Sequence, residues 1–408
     1  MKNNDNNKLL EEAKEIVSQC DRCGTCLTVC PLFDIQDIEK VSARGKNSII
    51  LALAGGGIRS VEDVSHVADF CLLCQTCAAN CPNKVKTDEA MMNVRQYLTN
   101  RAGGPDLKYK MLGGVMKRRG VVKLAAATLN LIRKAKLNKL VPSGMAPEQF
   151  TREQFLKAFA GPAAISSKLT PVESEVSPKA RVAYFQGCGI KMMFPEVAAE
   201  TVKILETTTP LAQLDNFCCG VPHLAHGMRE DFINLAKQNI SLYEDADIVV
   251  ADCASCSGML KHIAAYFVED HEWKEKAEKF SHKIMDLSEY LVKTGYRPQH
   301  KASATITYHD PCHLVRGQGI KSQPRELLKA AGNYVEMEEA DRCCGGAGSF
   351  HMDYPEISEK IIARKQANIE KTGAEVVVSS CPVCLVQLNK AAEASGGKFK
   401  AMHISQVL

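Results

Sequence analysis

Four cysteines and a closing proline, Cys71-x2-Cys74-x2-Cys77-x3-Cys81-Pro82, constrain this chain more than any other stretch in it. Thiolates at i, i+3 and i+6 can each take one iron corner of a compact cube, while the fourth, followed by proline, points toward a different cluster. The same grammar stands at Cys20, Cys23, Cys26, Cys30 and Pro31. Two copies predict two [4Fe–4S] clusters with exchanged fourth ligands: Cys20, Cys23, Cys26 and Cys81 for one, and Cys71, Cys74, Cys77 and Cys30 for the other. Structural zinc, the competing reading, needs only four ligands per site and rarely uses three-plus-one spacing.

With 408 residues the chain has room for two or three domains, each with its own core. Eighteen cysteines are far more than folding requires, and disulfides would be expected only in an exported chain. The opening Met1-Lys2-Asn3-Asn4-Asp5-Asn6-Asn7-Lys8 is polar, with no apolar signal core, and no apolar run approaches membrane-spanning length. The expected location is the reducing cytoplasm, where thiolates serve metals. A formal charge of +4 and an aromatic content of 6% give no support to a nucleic-acid partner.

In chain order, Leu9–Ser18 reads as an amphipathic helix leading into the first cysteine loop. The insert between the loops is helical. Ser48–Ala54 is stopped by Gly55-Gly56-Gly57, and Ser60-Val61-Glu62-Asp63 resembles a capping box opening the next helix. The triple glycine lacks the Gly-Lys-Ser/Thr of a phosphate loop and reads as a terminator. Met91–Asn100 forms a helix leaving the second loop. The expected fold class is α+β multidomain, and residues 1–105 are expected to form an all-α two-cluster ferredoxin domain.

Residues 106–178 read as a basic helical linker. From Leu107 to Pro147 there is no Asp or Glu, yet there are ten basic residues: Lys108, Lys110, Lys117, Arg118, Arg119, Lys123, Arg133, Lys134, Lys136 and Lys139. Within it, Val121–Ile132 is a basic helix with a small apolar face. Three roles are open: a linker helix packed on its own protein with solvated lysines, peripheral contact with an anionic membrane surface, and subunit docking. Pro142, Gly144, Pro147, Gly161, Pro162, Pro171 and Pro178 mark the stretch beyond this helix as a tether or an extended wrap.

The remaining chain is an internal repeat over 179–300 and 301–408. An apolar strand at 181–185 runs into Cys188, and one at 305–308 runs into Cys312. Phe217-Cys218-Cys219-Gly220 matches Arg342-Cys343-Cys344-Gly345. The strand ending in Cys253-x2-Cys256 matches the one ending in Cys381-x2-Cys384. Offsets of 124, 125 and 128 residues keep five cysteines in step. Each copy alternates strand, cysteine loop and helix, which predicts tandem α/β domains with parallel strands and cysteines at their carboxyl edge. Adjacent cysteines can face one site only around an unusual turn, for which Gly220 and Gly345 supply the freedom. Gly345, Gly346 and Gly348 also let amides approach cluster sulfurs. Redox disulfides or zinc remain alternatives to iron–sulfur clusters here. His309 and His313 flank Cys312, and His223 and His226 follow the first Cys-Cys-Gly; with five thiolates in each copy, these histidines are read as positioning or structural residues rather than ligands.

Cys-x29-Cys-Cys-Gly-x32-Cys-x2-Cys, repeated, resembles the cysteine-rich CCG domain of heterodisulfide reductases. A two-cluster ferredoxin fused to two such domains resembles the iron–sulfur subunits of glycolate oxidase, anaerobic glycerol-3-phosphate dehydrogenase and lactate-oxidising complexes. The resemblance implies a non-cubane [4Fe–4S] cluster on Cys188, Cys218, Cys219, Cys253 and Cys256, and another on Cys312, Cys343, Cys344, Cys381 and Cys384. Ala43–Lys46 resembles the basic turn between the loops in these subunits. No nucleotide or flavin fingerprint stands in the chain, so the resemblance implies an electron-transfer subunit. Its donor would be an FAD-dependent dehydrogenase oxidising a 2-hydroxy acid or glycerol 3-phosphate, and its acceptor a quinone or an electron-carrier protein. A thiol/disulfide redox enzyme of the heterodisulfide reductase kind is the alternative. An iron–sulfur sensor is disfavoured, because no DNA-reading helix pair is evident.

Overall fold

The computed structural model describes residues 3–137, 141, 144–145, 150–159, 163–164, 176–177 and 179–408. Lys139, Pro142, Pro147, Gly161, Pro162, Pro171 and Pro178, invoked above, lie outside the described residues. The chain divides into two compact units, each discontinuous in sequence. One comprises Met1–Gly114, Gly220–Ile233 and Gly345–Ile361; the other comprises Val115–Cys219, Asn234–Cys344 and Ile362–Leu408.

The first unit is helical among its described residues, built on α1 (Asn3–Ser18), α2 (Ala43–Ala54), α3 (Val61–Asp69) and α4 (Thr87–Arg101). Leu9, Leu10, Ala13 and Val17 form one stripe on α1 and pack with Ile50 and Leu53 of α2, Val64 and Ala68 of α3, and Met91, Val94 and Leu98 of α4. Each larger aliphatic side chain removed from water contributes roughly 1.5–3 kcal/mol, which holds helices that would be marginal alone. Helix α1 starts six residues before the expected Leu9, because tertiary contacts recruit the Asn-rich segment. Asn6 Nδ2 donates to Tyr97 O at 3.4 Å, and Asn100 Nδ2 donates to Asn6 Oδ1 at 2.9 Å. Ala43–Lys46, expected as a turn, is instead the first turn of α2. Ser42 caps it, accepting from Gly45 N at 3.2 Å, and α2 ends at Gly55 as expected.

Helices α5 (Leu107–Met116) and α6 (Arg119–Lys134) carry the basic stretch. In the second unit Asp215 supplies the negative charge missing locally, reaching Lys123 at 2.9 Å, Lys191 at 3.3 Å and Arg119 at 3.9 Å. Arg119 also lies over the Phe217 ring, 3.9 Å from its centroid. The described residues after α6 behave as a wrap. Gly144, at φ +78°, lies so close to the helix at Pro382–Ala394 that a Cβ would stand 2.4 Å from Val386 O, and Phe155 is fully buried.

Two four-stranded parallel sheets share one strand order. The first, β1 (Val182–Phe185), β2 (Leu211–Gln213), β3 (Ile248–Ala251) and β4 (Ile284–Asp286), runs β2-β1-β3-β4. The second, β5 (Thr305–Tyr308), β6 (Asn333–Tyr334), β7 (Val376–Ser379) and β8 (Lys400–His403), runs β6-β5-β7-β8. Val182–Phe185 and Val376–Ser379 are buried along their whole length, as expected for central parallel strands covered on both faces. Each central strand runs into a cysteine-bearing helix or its cap: α7 (Cys188–Met193), α8 (Ala254–Lys261), α9 (Cys312–Val315) and α10 (Pro382–Ala394). The two sheets meet through these ends. Ala254 N donates to Ser380 O at 2.9 Å, Gly189 of α7 abuts Pro382 of α10, and Gly258 of α8 abuts the His313 carbonyl of α9. The first helix of each repeat thus packs on the Cys-x2-Cys helix of the other. No helix among the described residues is long and apolar enough to cross a membrane.

Candidate metal centres

In the first unit the two cysteine loops share a backbone solution. The second and fourth residues after each leading cysteine are left-handed: Arg22 (φ 57°) and Gly24 (φ 87°) after Cys20, and Leu73 (φ 50°) and Gln75 (φ 60°) after Cys71. Such conformations cost about 1–2 kcal/mol for a residue with a side chain, and alternation of hand makes the concave nest that lines an anionic group with amides. Threonine hydroxyls repeat the equivalence: Thr25 Oγ1 is 3.4 Å from Cys23 Sγ, and Thr76 Oγ1 is 3.2 Å from Cys74 Sγ. Cys20, Cys23, Cys26 and Cys81 line one pocket with Arg44 and Asn83, and Cys77 borders it. The Cys77 thiol is pushed well up by burial and by its neighbours Cys74, Cys71 and Cys30. Burial, opposed in part by the Lys46 charge, also raises Cys30. Arg95 pins the second loop: its guanidinium donates to the carbonyls of Ala68 at 3.0 Å, Asp69 at 3.1 Å, Cys71 at 2.8 Å and Ala225 at 3.2 Å.

In the second unit the repeat cysteines gather where the two sheets meet. Cys188 Sγ is 3.5 Å from Cys218 Sγ, and Cys344 Sγ is 3.3 Å from Cys384 Sγ. Cys219 and Cys253 are the neighbours that most affect Cys256, and across the repeats Ser255 Oγ, between Cys253 and Cys256, is 3.7 Å from Cys381 Sγ. Cys312 stands at the start of α9 and Cys343 beside Cys344, near the buried Lys365. Both Cys-Cys-Gly turns are left-handed at glycine. A Cβ on Gly220 (φ +87°) would stand 2.5 Å from the Phe232 ring, and one on Gly345 (φ +80°) would stand 3.1 Å from Ile361. The side-chain amide of Asn239 holds the first turn from above and below, accepting from Phe217 N at 3.0 Å and donating to Cys218 O at 3.0 Å.

These donors fit iron–sulfur clusters. All eighteen thiols are free, and the closest sulfurs are far beyond the roughly 2.05 Å of a disulfide bond. Contact with Cys219 and then Cys253 pushes the Cys256 thiol well up, and contact with Cys344 does the same to Cys384. Thiols so crowded and buried resist ionising together unless a cationic core joins them. Comparisons with known proteins agree. Residues 16–85 match the 4Fe-4S dicluster domain family, and residues 182–261 and 306–389 match the CCG cysteine-rich domain family. A probable glycolate oxidase iron-sulfur subunit of Bacillus subtilis is 31% identical over 95% of this chain and 92% of its own length. This chain belongs to the glycolate oxidase type of iron–sulfur subunit. It is also similar to a fumarate reductase (CoM/CoB) subunit of Methanothermobacter marburgensis, at 28% identity over 92% of this chain and 79% of that protein. Lactate utilization protein A of Shouchella clausii is 31% identical over 56% of this chain and 98% of its own.

Within this iron–sulfur subunit the histidines take separate parts. His223 Nε2 lies 3.0 Å from Gly113 O, and His226 stacks on Tyr109 with centroids 3.7 Å apart and meets Ser349 Oγ at 3.1 Å, all inside the first unit. His313 Nδ1 meets Ser255 Oγ at 2.8 Å, and that hydroxyl lies 3.7 Å from Cys381 Sγ, so the first repeat's Cys-x2-Cys helix touches a sulfur of the second. Arg95, Asn239, Ser255 and His403, whose Nε2 meets Asp252 O at 2.8 Å, escaped the sequence reading. None carries a spacing signature.

Proposed function

We propose that this chain carries electrons from a partner FAD-dependent flavoprotein, which oxidises a 2-hydroxy acid of the glycolate or lactate type or glycerol 3-phosphate, to a quinone or another carrier. Two cubane clusters would be held by Cys20, Cys23, Cys26 and Cys81 and by Cys71, Cys74, Cys77 and Cys30. Two further clusters, non-cubane in type, would be held by Cys188, Cys218, Cys219, Cys253 and Cys256 and by Cys312, Cys343, Cys344, Cys381 and Cys384. When bound, such clusters supply one-electron chemistry. The chain's own residues set their spacing, shield them from water and tune them through amides and hydroxyls such as those of Thr25 and Thr76. A reducing cytoplasm suits eighteen cysteines of which none is in a disulfide, and the basic α6 suits docking to the partner or to an anionic membrane surface.

The approach of Ser255 Oγ, in the first repeat's Cys-x2-Cys helix, to Cys381 Sγ of the second at 3.7 Å supports the relay most directly, since it sets the two repeat sites side by side within one unit. A thiol/disulfide redox role is the rival, favoured by the match to the fumarate reductase (CoM/CoB) subunit. Eight of the ten repeat thiols are buried, which leaves a sulfur substrate little reach. The test is turnover: the isolated chain, given hydroxy acids or glycerol 3-phosphate and a dye acceptor, is expected to be inactive until the flavoprotein is added. Substrate-dependent dye reduction without flavoprotein sinks the relay, and disulfide turnover by the pre-reduced chain establishes the rival.

A further inference from the structure

One of the differences between the two repeats places an imidazole where its counterpart has hydrocarbon. With first strands in the same register, Tyr184 opposite Val250 and Tyr308 opposite Val378, the residue after each tyrosine is Phe185 in the first repeat and His309 in the second. Both side chains are buried; His309 is 1% exposed. Phe185 fills its place with hydrocarbon and packs against Tyr243. Among the described residues, neither ring nitrogen of His309 has a hydrogen-bond partner. A nitrogen of that ring, Cys344 Sγ and Cys384 Sγ all lie within 4.8 Å of one another.

An imidazole buried without hydrogen-bond partners is unfavourable at each unsatisfied polar atom, and the first repeat avoids that cost at the matching position with phenylalanine. A neutral imidazole offers a nitrogen lone pair to a metal. Donors 4.8 Å or less apart, two thiols and an imidazole, form one face of a metal site. We propose that His309 is an iron ligand of the second repeat's site, acting with Cys344 and Cys384, and that the two repeat sites are therefore chemically unlike. The imidazole joins the thiolates and replaces none of them, so the second site differs from the first by one added neutral donor.

The inference rests on the second repeat holding an iron–sulfur cluster, and the experiment separates the two claims. The full-length chain is prepared anaerobically with 15N-histidine, its iron and sulfide are counted, and its reduced and oxidised states are examined by pulsed EPR and redox titration. The expected result is a strong histidine-nitrogen coupling of the directly bound class in wild type that vanishes in His309→Phe, the residue the first repeat carries. His309→Gln, which keeps a polar side chain, serves if the phenylalanine variant does not accumulate. Wild type with iron in both repeats and no directly bound nitrogen overturns His309 ligation while leaving the relay intact. Wild type without repeat iron overturns both. A coupling that persists in both variants also overturns the assignment.

Discussion

Gly220 and Gly345 turn the chain at the two adjacent-cysteine pairs, and both do so with left-handed backbone against a packed neighbour. Alanine at either position adds about 1–2 kcal/mol of backbone strain, and at Gly220 the 2.5 Å approach to Phe232 adds overpacking of about 1–3 kcal/mol more. Gly220→Ala should therefore lose more stability than Gly345→Ala, read from urea midpoints, and the reverse order contradicts this account of the turn. His226 offers a second test. Burial, with the Arg95 charge behind it, pushes its imidazole down to about 4 from 6.5. The unfolded chain binds a proton that the folded chain refuses, so stability is full above the unfolded value and falls as pH drops from about 6.5 toward 4. Between pH 7 and pH 5 the loss should be about 2 kcal/mol, and His226→Gln should flatten it. Equal acid sensitivity in both proteins would show that His226 is not the responsible group. The Cys-Cys-Gly turns were legible because glycine follows each pair, whereas the left-handed Arg22, Leu73 and Gln75 carry no such mark in their residue type.

Arg95 of α4 shows what an element can do that its sequence does not announce. Its four donated bonds tie α3, the second cysteine loop and the segment after the first Cys-Cys-Gly into one unit. Arg95→Met should destabilise the first unit by about 2–4 kcal/mol, by stranding buried carbonyls, and should loosen the second loop. Faster loss of one cubane EPR signal to an iron chelator is the expected readout, and unchanged chelation kinetics contradict it. The ion pairs of α6 should weigh far less. Asp215→Asn breaks half-exposed pairs with Lys123 and Lys191 and should cost less than about 1 kcal/mol at physiological salt. The central strands were readable as apolar runs of strand length. The edge strands β2 and β6, three and two residues long, had no period to show. The start of α1 was missed because partners distant in sequence, Tyr97 and Asn100, decide it, and that of α2 because its cap, Ser42, lies outside the apolar run that was read.

At the scale of the whole chain the repeat was the most legible feature, since five cysteines kept in step at 124 to 128 residues fix one strand order twice. Its consequence was not legible. Nothing in the spacing says that Ser255, lying between the paired cysteines of one copy, bridges His313 to Cys381 of the other. Those contacts arise only when each first helix packs on the opposite Cys-x2-Cys helix. They turn two separate cysteine sets into neighbours, and the relay depends on both being loaded. Iron and sulfide analysis with Mössbauer spectra, on anaerobically prepared wild type and on the Cys219→Ser/Cys344→Ser double variant, tests this most directly. The account predicts about 16 irons per chain with equal sulfide, falling toward about 8 in the variant while the cubane signals persist. Fully loaded wild type at about 8 irons, unchanged by the substitutions, would contradict it.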